Sequence, residues 1–323
     1  MLTYHVPSRN SRFRSASSML SDLSLRGLIF SIDRFVAEDG PGIRTTVFLK
    51  GCPLKCIWCH SPQSISTKPQ LIFYSSRCIG CGTCVKACPQ NAQVVSVREK
   101  RVLWERCDDC GKCADECPSK ALEMEGEWLT VEQVINVVRR DLVYYRNSGG
   151  GVTFSGGEPT MQPRFLVACL KKCKEIGIHT AIDTCGFVKW SVLKRMLPYI
   201  DLFLYDVKHM DSGQHEELTG VGNESILQNL RSISQQGKPI WIRIPLIPGC
   251  NDSEENLHRV VEFVKPLMRV EKVVLLPYNK AASAKYEFIG KKYELEDLVP
   301  HSKKEMEAFV EIFSCLGEVI FPH

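Results

Sequence analysis

No run of about 18 apolar residues occurs in the 323 residues, which excludes a membrane-spanning helix. Strong charge of either sign is also missing. Forty-one Lys and Arg against 37 Asp and Glu leave +4, too little to make nucleic acid or an anionic membrane the main partner. Apolar residues make up 44% and charged residues 24%, which excludes wholesale disorder. The stretch Met1 to Ser24 lacks the apolar segment of a secretory signal. It carries Arg9, Arg12 and Arg14, five serines between Ser8 and Ser18, and one acid, Asp22. Its likeness to a transit peptide is faint. It reads as a mobile tail over residues 1–25, or as a start codon placed too early.

Cysteine is what the chain has in excess, 16 in all. A secreted disulfide scaffold would be shorter. Most of these thiols sit two or three residues apart, a spacing that favours metal over cystine. The reading is a reduced, cytoplasmic protein of anaerobic habit. Cys78, Cys81, Cys84 and Cys88-Pro89 recur 29 residues later as Cys107, Cys110, Cys113 and Cys117-Pro118. Short strands are expected over Gln93 to Val97, Val102 to Trp104 and Ala121 to Met124. A unit of about fifty residues holds itself together poorly by a core alone. Bound clusters would supply the missing stabilisation; zinc knuckles are the alternative.

Beyond Thr130 the pattern changes. Thr130 to Gln133 is a capping box, followed by Val131, Val134, Ile135, Val138, Leu142 and Tyr145 at helical spacing. Gly149-Gly150-Gly151 ends that helix. Strands are expected at Thr46 to Leu49, Val152 to Phe154, Thr180 to Asp183, Leu202 to Val207, Trp241 to Leu246 and Val273 to Pro277. Helices separate them, one capped over Asp252 to Glu255 and the last over Ser302 to Glu305. Six β-then-α units predict a parallel sheet or barrel.

The chemistry gathers at strand ends. Cys52-Pro-Leu-Lys-Cys56-Ile-Trp-Cys59 puts three thiolates on one loop, enough for three corners of a cubane cluster. A structural site would be closed by a fourth cysteine, but Cys78 already belongs to the repeat, so the fourth iron is open to a small molecule. A zinc loop completed by His60 is the alternative. Ser155-Gly156-Gly157-Glu158-Pro159 follows the second strand. Its glycines would let a ligand lie on bare backbone, and Glu158 could take a hydrogen bond from an ammonium group. Asp183-Thr184-Cys185-Gly186 closes the third strand and Asp206-Val-Lys208 the fourth. Helix capping is the alternative for the two aspartates. Arg243 lies in the fifth strand, suited either to a salt bridge or to substrate. Cys169 and Cys173, four apart on a helix, read as buried apolar thiols. In β/α barrels the C-terminal strand ends form the active-site mouth.

CxxxCxxC with Trp58 before its last cysteine resembles the radical S-adenosylmethionine superfamily. Asp39-Gly-Pro-Gly-Ile-Arg-Thr-Thr-Val-Phe-Leu-Lys-Gly-Cys52 resembles the activating enzymes of glycyl radical enzymes, and the likeness runs from about Gly27 to the C-terminus. The repeat resembles bacterial two-cluster ferredoxins, where the fourth cysteine of each run ligates the other cluster. This implies one [4Fe–4S] cluster on Cys78, Cys81, Cys84 and Cys117, another on Cys107, Cys110, Cys113 and Cys88, and a third on the Cys52, Cys56, Cys59 loop. The implied fold is a partial (β/α)6 barrel, residues 26–70 and 126–323, with a ferredoxin-like α+β domain inserted at 71–125. The implied activity is reductive cleavage of S-adenosylmethionine to a 5′-deoxyadenosyl radical, which takes hydrogen from a glycine of a partner glycyl radical enzyme. By the same resemblance Gly156, Gly157 and Glu158 hold the methionine amino group, and Lys208 pairs with its carboxylate. Asp183, Thr184 and Asp206 lie near the ribose or a monovalent cation. The family's sixth strand usually ends in His; Asn279 stands there and cannot titrate near neutrality. The expected electron donor is a flavodoxin or ferredoxin, feeding the inserted clusters. Two other readings are a radical enzyme acting on a small molecule or another protein side chain, and a non-catalytic electron-transfer protein.

Overall fold

Alternating strands and helices build one large sheet and a small insert. The structure, a computed structural model, describes residues 22–96 and 99–321. β1 (Arg26–Val36) runs antiparallel to β2 (Arg44–Leu49). β3 (Gln70–Phe73), β4 (Gln93–Val95), β5 (Lys100–Val102) and β6 (Leu122–Glu125) lie in the insert. β7 (Glu127–Thr130) then pairs antiparallel with the other edge of β1. β8 (Gly151–Gly156), β9 (His179–Thr184), β10 (Leu202–Asp206), β11 (Ile240–Leu246), β12 (Val270–Pro277) and β13 (Val319–Ile320) follow. The nine-stranded order is β13-β12-β11-β10-β9-β8-β2-β1-β7, and every pairing from β2 to β13 is parallel. The fold is therefore α/β with a mostly parallel sheet. The six expected strands are β2 and β8 to β12; β1, β7 and β13 extend them at the two edges.

Side chains alternate across the strands. Phe203, Tyr205, Ile182, Ile240, Ile242 and Ile244 join the main core beneath the helices. The opposite face carries Ala181, Leu202, Leu204 and Trp241, packed in a small cluster. The same alternation puts Asp183, Asp206 and Arg243 on that second face at the C-terminal strand ends, with Asp206 directly opposite Arg243 across β10 and β11. Residues from the loop after β2 to the end of β12 line one cavity, so the sheet curls around it.

Several expectations shift. Helix Val131–Val138 has the capping box of Thr130 and Gln133. It stops early, and a 3₁₀ turn at Arg139–Asp141 precedes a second helix, Leu142–Ser148. Asp141 explains the break: it is buried, and its carboxylate is tied to Arg34 and to the Thr45 hydroxyl. Helix Glu254–Val264 is capped by Ser253 and not by Asp252, whose carboxylate takes the Gly249 N–H and His301. The Ser302–Glu305 capping box stands as expected. Cys169 and Cys173 are buried in helix Pro163–Glu175.

In the insert β3 pairs with β6 and β4 with β5, both antiparallel. The strand expected over Val102 to Trp104 ends at Val102, and Trp104 turns out to meet the C-terminal segment. Val97 falls outside the described residues. So does the expected tail, except Asp22 to Leu25, which are anchored and not free: Leu25 C=O accepts the Val131 N–H at 2.9 Å, and Leu23 packs on the core. Among the described residues no helix is long and apolar enough to cross a membrane.

Candidate active site

The cavity at the C-terminal strand ends has a volume of about 530 Å3, within the usual range of small-molecule sites, roughly 300–1,000 Å3. Its wall includes Cys52, Cys56, Cys59, Gly156, Gly157, Asp183, Thr184, Asp206, Lys208, Arg243 and Asn279.

Backbone hydrogen bonds fix the cysteine loop after β2. Gly51 N–H donates to Ser64 C=O at 2.7 Å, Lys55 N–H to Thr219 C=O at 2.7 Å, and Ile57 N–H to Leu218 C=O at 3.1 Å. Leu54 and Trp58 are buried, Trp58 against Leu218, Ile247, Tyr278 and Tyr293. Burial pushes the Cys56 thiol up to about 12, although Lys208 opposes the rise, and burial raises Cys52 and Cys59 as well. Three desolvated thiols gain a reason to ionise only when a cationic centre joins them.

Glu158 departs from expectation. It is fully buried and off the cavity wall. Its carboxylate accepts the Thr160 N–H at 3.0 Å, the Thr160 hydroxyl at 2.7 Å, the Thr184 hydroxyl at 2.9 Å and the Cys185 N–H at 2.8 Å. With four donors in place it ties the ends of β8 and β9 together and has no free lone pair for an ammonium group. The backbone of Gly156 and Gly157 faces the cavity instead. Gly156 has φ +118°, and a Cβ there would overlap the Leu49 carbonyl of β2.

Lys208 Nζ donates to Asp206 Oδ2 at 2.6 Å. Burial opposes its charge, but Asp206 and Cys56 outweigh burial and raise its pKa. Arg243 Nη1 lies 3.2 Å from Asp183 Oδ2 and 3.6 Å from Asp39 Oδ1. Even so, Arg243 Nε and Nη1 lack hydrogen-bond partners. Burial raises the Asp183 pKa, helped by Asp206 and Asp39 and resisted by Arg243 and the Ser155 hydroxyl. Neither aspartate caps a helix: Lys189 precedes helix Trp190–Met196, and Asp211 caps Ser212–Thr219. Asn279 is exposed, its Oδ1 accepting the Ala281 N–H at 2.8 Å.

The DGPGIR stretch turns out to be a brace. Arg44 is wholly buried, bonded to the Thr153 hydroxyl at 2.6 Å and to the Pro41 and Val152 carbonyls. Thr46 donates to Asp39 at 2.8 Å, which aims that carboxylate toward Arg243. Sequence reasoning did not single out Asp39, nor the aromatic pair Tyr286 and Tyr293, 4.8 Å apart between centroids, close to Cys59. Only the motif containing Asp39 carried a signal. Cys185, in the segment that closes the third strand, also lines the cavity.

In the insert, Cys78, Cys81, Cys84 and Cys117 line one small cavity of about 20 Å3. Cys113 is pushed up to about 12 by burial and by Cys88, Cys107 and Cys110 around it. The last cysteine of each copy thus stands with the first three of the other. Among the described residues no three His, Cys, Asp or Glu side chains close on one point as a single metal ion needs. Thiolates around a multi-iron cluster are spread more widely than those of one zinc ion, each about 2.3 Å from the metal.

These residues fit an iron–sulfur cluster with a polar ligand beside it: three thiols share one cavity with a charged Lys208 and with Arg243, whose Nε has no hydrogen-bond partner among the described residues. The comparisons agree. The profile of the radical SAM superfamily matches residues 46–261. The choline trimethylamine-lyase activating enzyme of Oleidesulfovibrio alaskensis is 42% identical, over 92% of this chain and 97% of that protein. The trans-4-hydroxy-L-proline dehydratase activating enzyme of Clostridioides difficile is 43% identical, over 88% of this chain and 95% of that protein. A radical SAM methyltransferase from Sphaerobacter thermophilus shares the fold, with a TM-score of 0.52 at 15% identity over 95% of this chain and 80% of the other. Three thiols at the mouth of a curled parallel sheet, on a chain so similar to these relatives, place it in the radical SAM superfamily, among the activating enzymes of glycyl radical enzymes.

Proposed function

We propose that Cys52, Cys56 and Cys59 hold a [4Fe–4S] cluster with one open iron, and that the strand ends hold S-adenosylmethionine against it. When both are bound, one electron entering the sulfonium breaks a carbon–sulfur bond, giving methionine and the radical that takes hydrogen from a partner's glycine. The chain's own residues position and enclose. Lys208, kept charged by Asp206, meets the methionine carboxylate. The Gly156 and Gly157 backbone receives the amino group. Asp183, Thr184 and Asp206 face the ribose or a monovalent cation, and Asn279 can bond the nucleoside. Leu54, Ile247, Pro245 and Leu276 line the remaining wall and exclude water.

We further assign one [4Fe–4S] cluster to Cys78, Cys81, Cys84 and Cys117 and one to Cys107, Cys110, Cys113 and Cys88, in a ferredoxin-like insert over residues 71–125. They relay electrons inward from a flavodoxin or ferredoxin in a reducing cytoplasm. The run Cys-x2-Cys-x2-Cys-x3-Cys-Pro, present twice, favours clusters over zinc.

The observation carrying this reading is the sharing of one cavity by three loop cysteines and Lys208. Anaerobic protein with S-adenosylmethionine and dithionite should release methionine and 5′-deoxyadenosine, and should raise a glycyl radical signal on a partner enzyme. Lys208→Ala should weaken S-adenosylmethionine binding about 10- to 100-fold, the loss of one charge-assisted hydrogen bond. Unchanged binding would remove Lys208 from the site.

A further inference from the structure

The two cysteine groups of the insert sit in opposite electrostatic surroundings. Beside Cys78, Cys81, Cys84 and Cys117 stand Arg77, Lys86, Lys100, Arg101 and Lys120, against Glu99 and Glu123. Lys100 Nζ donates to the Cys78 carbonyl at 2.7 Å, and Arg101 lines the small cavity. Glu99 pairs with Arg101 at 2.9 Å and Glu123 with Arg77 at 3.3 Å, which leaves Lys86, Lys100 and Lys120 without ion pairs among the described residues. Lys86 marks the border, in a groove shared with Asp115 and Glu116. Along the chain around Cys88, Cys107, Cys110 and Cys113 the balance reverses: Glu105, Asp108, Asp109 and Asp115 stand against Lys86, Arg106 and Lys112, while Glu116 adjoins Cys117 at the border.

The basic side also has an apolar centre open to solvent. Ile79 is 67% exposed and Val85 41% exposed, and Cys81 between them is exposed. No residue outside the insert lines the cavity of this group. Both groups reach the C-terminal segment, the basic one through Tyr74 on Phe288 at 4.8 Å, and Cys110 is exposed like Cys81; what sets the acidic group toward the Cys52 loop is Asp109. The Cys107 N–H bonds the Trp104 carbonyl, and Trp104 packs on Gly290 of the C-terminal segment. Asp109 lies within electrostatic reach of Lys50, two residues before Cys52.

We propose that the face around Ile79, Cys81, Lys86, Lys100 and Lys120 docks a small acidic electron-carrier protein, which reduces the Cys78, Cys81, Cys84, Cys117 cluster first. The inference rests on the relay reading above and names its entrance. Charge complementarity selects the occupant: an acidic surface is attracted here and repelled from the Asp108–Glu116 side. The step is a one-electron transfer. The carrier, such as a flavodoxin hydroquinone, loses one electron and the cluster gains it, with no bond made or broken.

The test mixes anaerobic, cluster-loaded enzyme with flavodoxin hydroquinone in a stopped-flow instrument and follows the visible absorbance of the clusters. The wild-type second-order rate should fall as salt rises. Lys86→Glu with Lys120→Glu should lower it about tenfold at low salt and flatten the salt dependence. Asp115→Lys with Glu116→Lys should not lower it. Reduction by photoreduced deazariboflavin, which is uncharged, should be equal in all three. Iron and sulfide content is checked first, and Ile79→Glu replaces the double variant if that loads poorly. A rate within twofold of wild type in the Lys86/Lys120 variant overturns the docking face. Freeze-quenched EPR separates this from failure of the relay: insert clusters still reduced first at an unchanged rate sink the face alone, whereas direct reduction of the Cys52 loop cluster sinks the relay.

Discussion

Asp141 shows how one carboxylate can set a helix boundary. The Arg34 guanidinium, followed by the Thr45 hydroxyl, holds its carboxyl below the usual range despite burial. A depressed carboxyl stabilises the fold above its unfolded value of about 3.9, and that stability is lost as pH falls through the lower folded value. Asp141→Asn should cost about 1–3 kcal/mol at neutral pH by urea unfolding. Its gap from wild type should close below about pH 4. A constant gap would mean that the amide disturbs packing, not charge. Cys185 gives a second residue-level test. It lines the cavity near Cys52, yet the proposed chemistry needs an open iron. Cys185→Ala should keep full iron and sulfide at the loop cluster. Lost iron would make it a fourth ligand and close the site. That the loop cysteines, Lys208 and the strand-end aspartates gather at one cavity was legible in the sequence because each follows a strand; the roles expected of Lys208 and the aspartates came from the family resemblance. The fate of Glu158 was not. Its four donors come from Thr160, Thr184 and Cys185, and only folding brings β8 and β9 together.

Among the elements, β8 is under the tightest constraint. Its last residue, Gly156, must approach the Leu49 carbonyl of β2 at positive φ. Gly156→Ala should cost roughly 3 kcal/mol, strain and overpacking together. Thermal unfolding measures this, and S-adenosylmethionine binding should fall with it because the cavity backbone moves. A variant of wild-type stability would show that β2 and β8 can separate. The six parallel strands were readable because each is a short apolar run between turn signals. β1 was not. Its pairing with β2 shifts register between Ile29 and Ser31 and again between Arg34 and Val36, so no clean period of two survives. β7 and the two-residue β13 are too short to show any period. The early end of helix Val131–Val138 was hidden too, since apolar spacing continues through Leu142 and Tyr145 while Asp141 interrupts it from across the fold.

For the whole molecule, the seam between the insert and the C-terminal segment includes two aromatic contacts. Trp104 lies on Gly290, where any side chain would overlap its ring, and Tyr74 meets Phe288 edge-on at 4.8 Å. Trp104→Ala should free the insert to move without unfolding the barrel. Limited proteolysis should then cut near residues 70 and 126 several-fold faster, with the main melting transition shifted little. Equal cleavage rates would mean that the seam holds without the indole. Nothing in the sequence marked this seam, because Trp104 and Gly290 are far apart in the chain and neither belongs to a periodic pattern. The exchange of sulfurs inside the insert has a consequence of its own. Cys117 serves the group begun by Cys78, and Cys88 stands with the group begun by Cys107. On the cluster assignment proposed above, neither half of the repeat would be whole without its sibling: a lesion in one copy would strand the other with three ligands, so the two halves would have to be kept or lost as a pair.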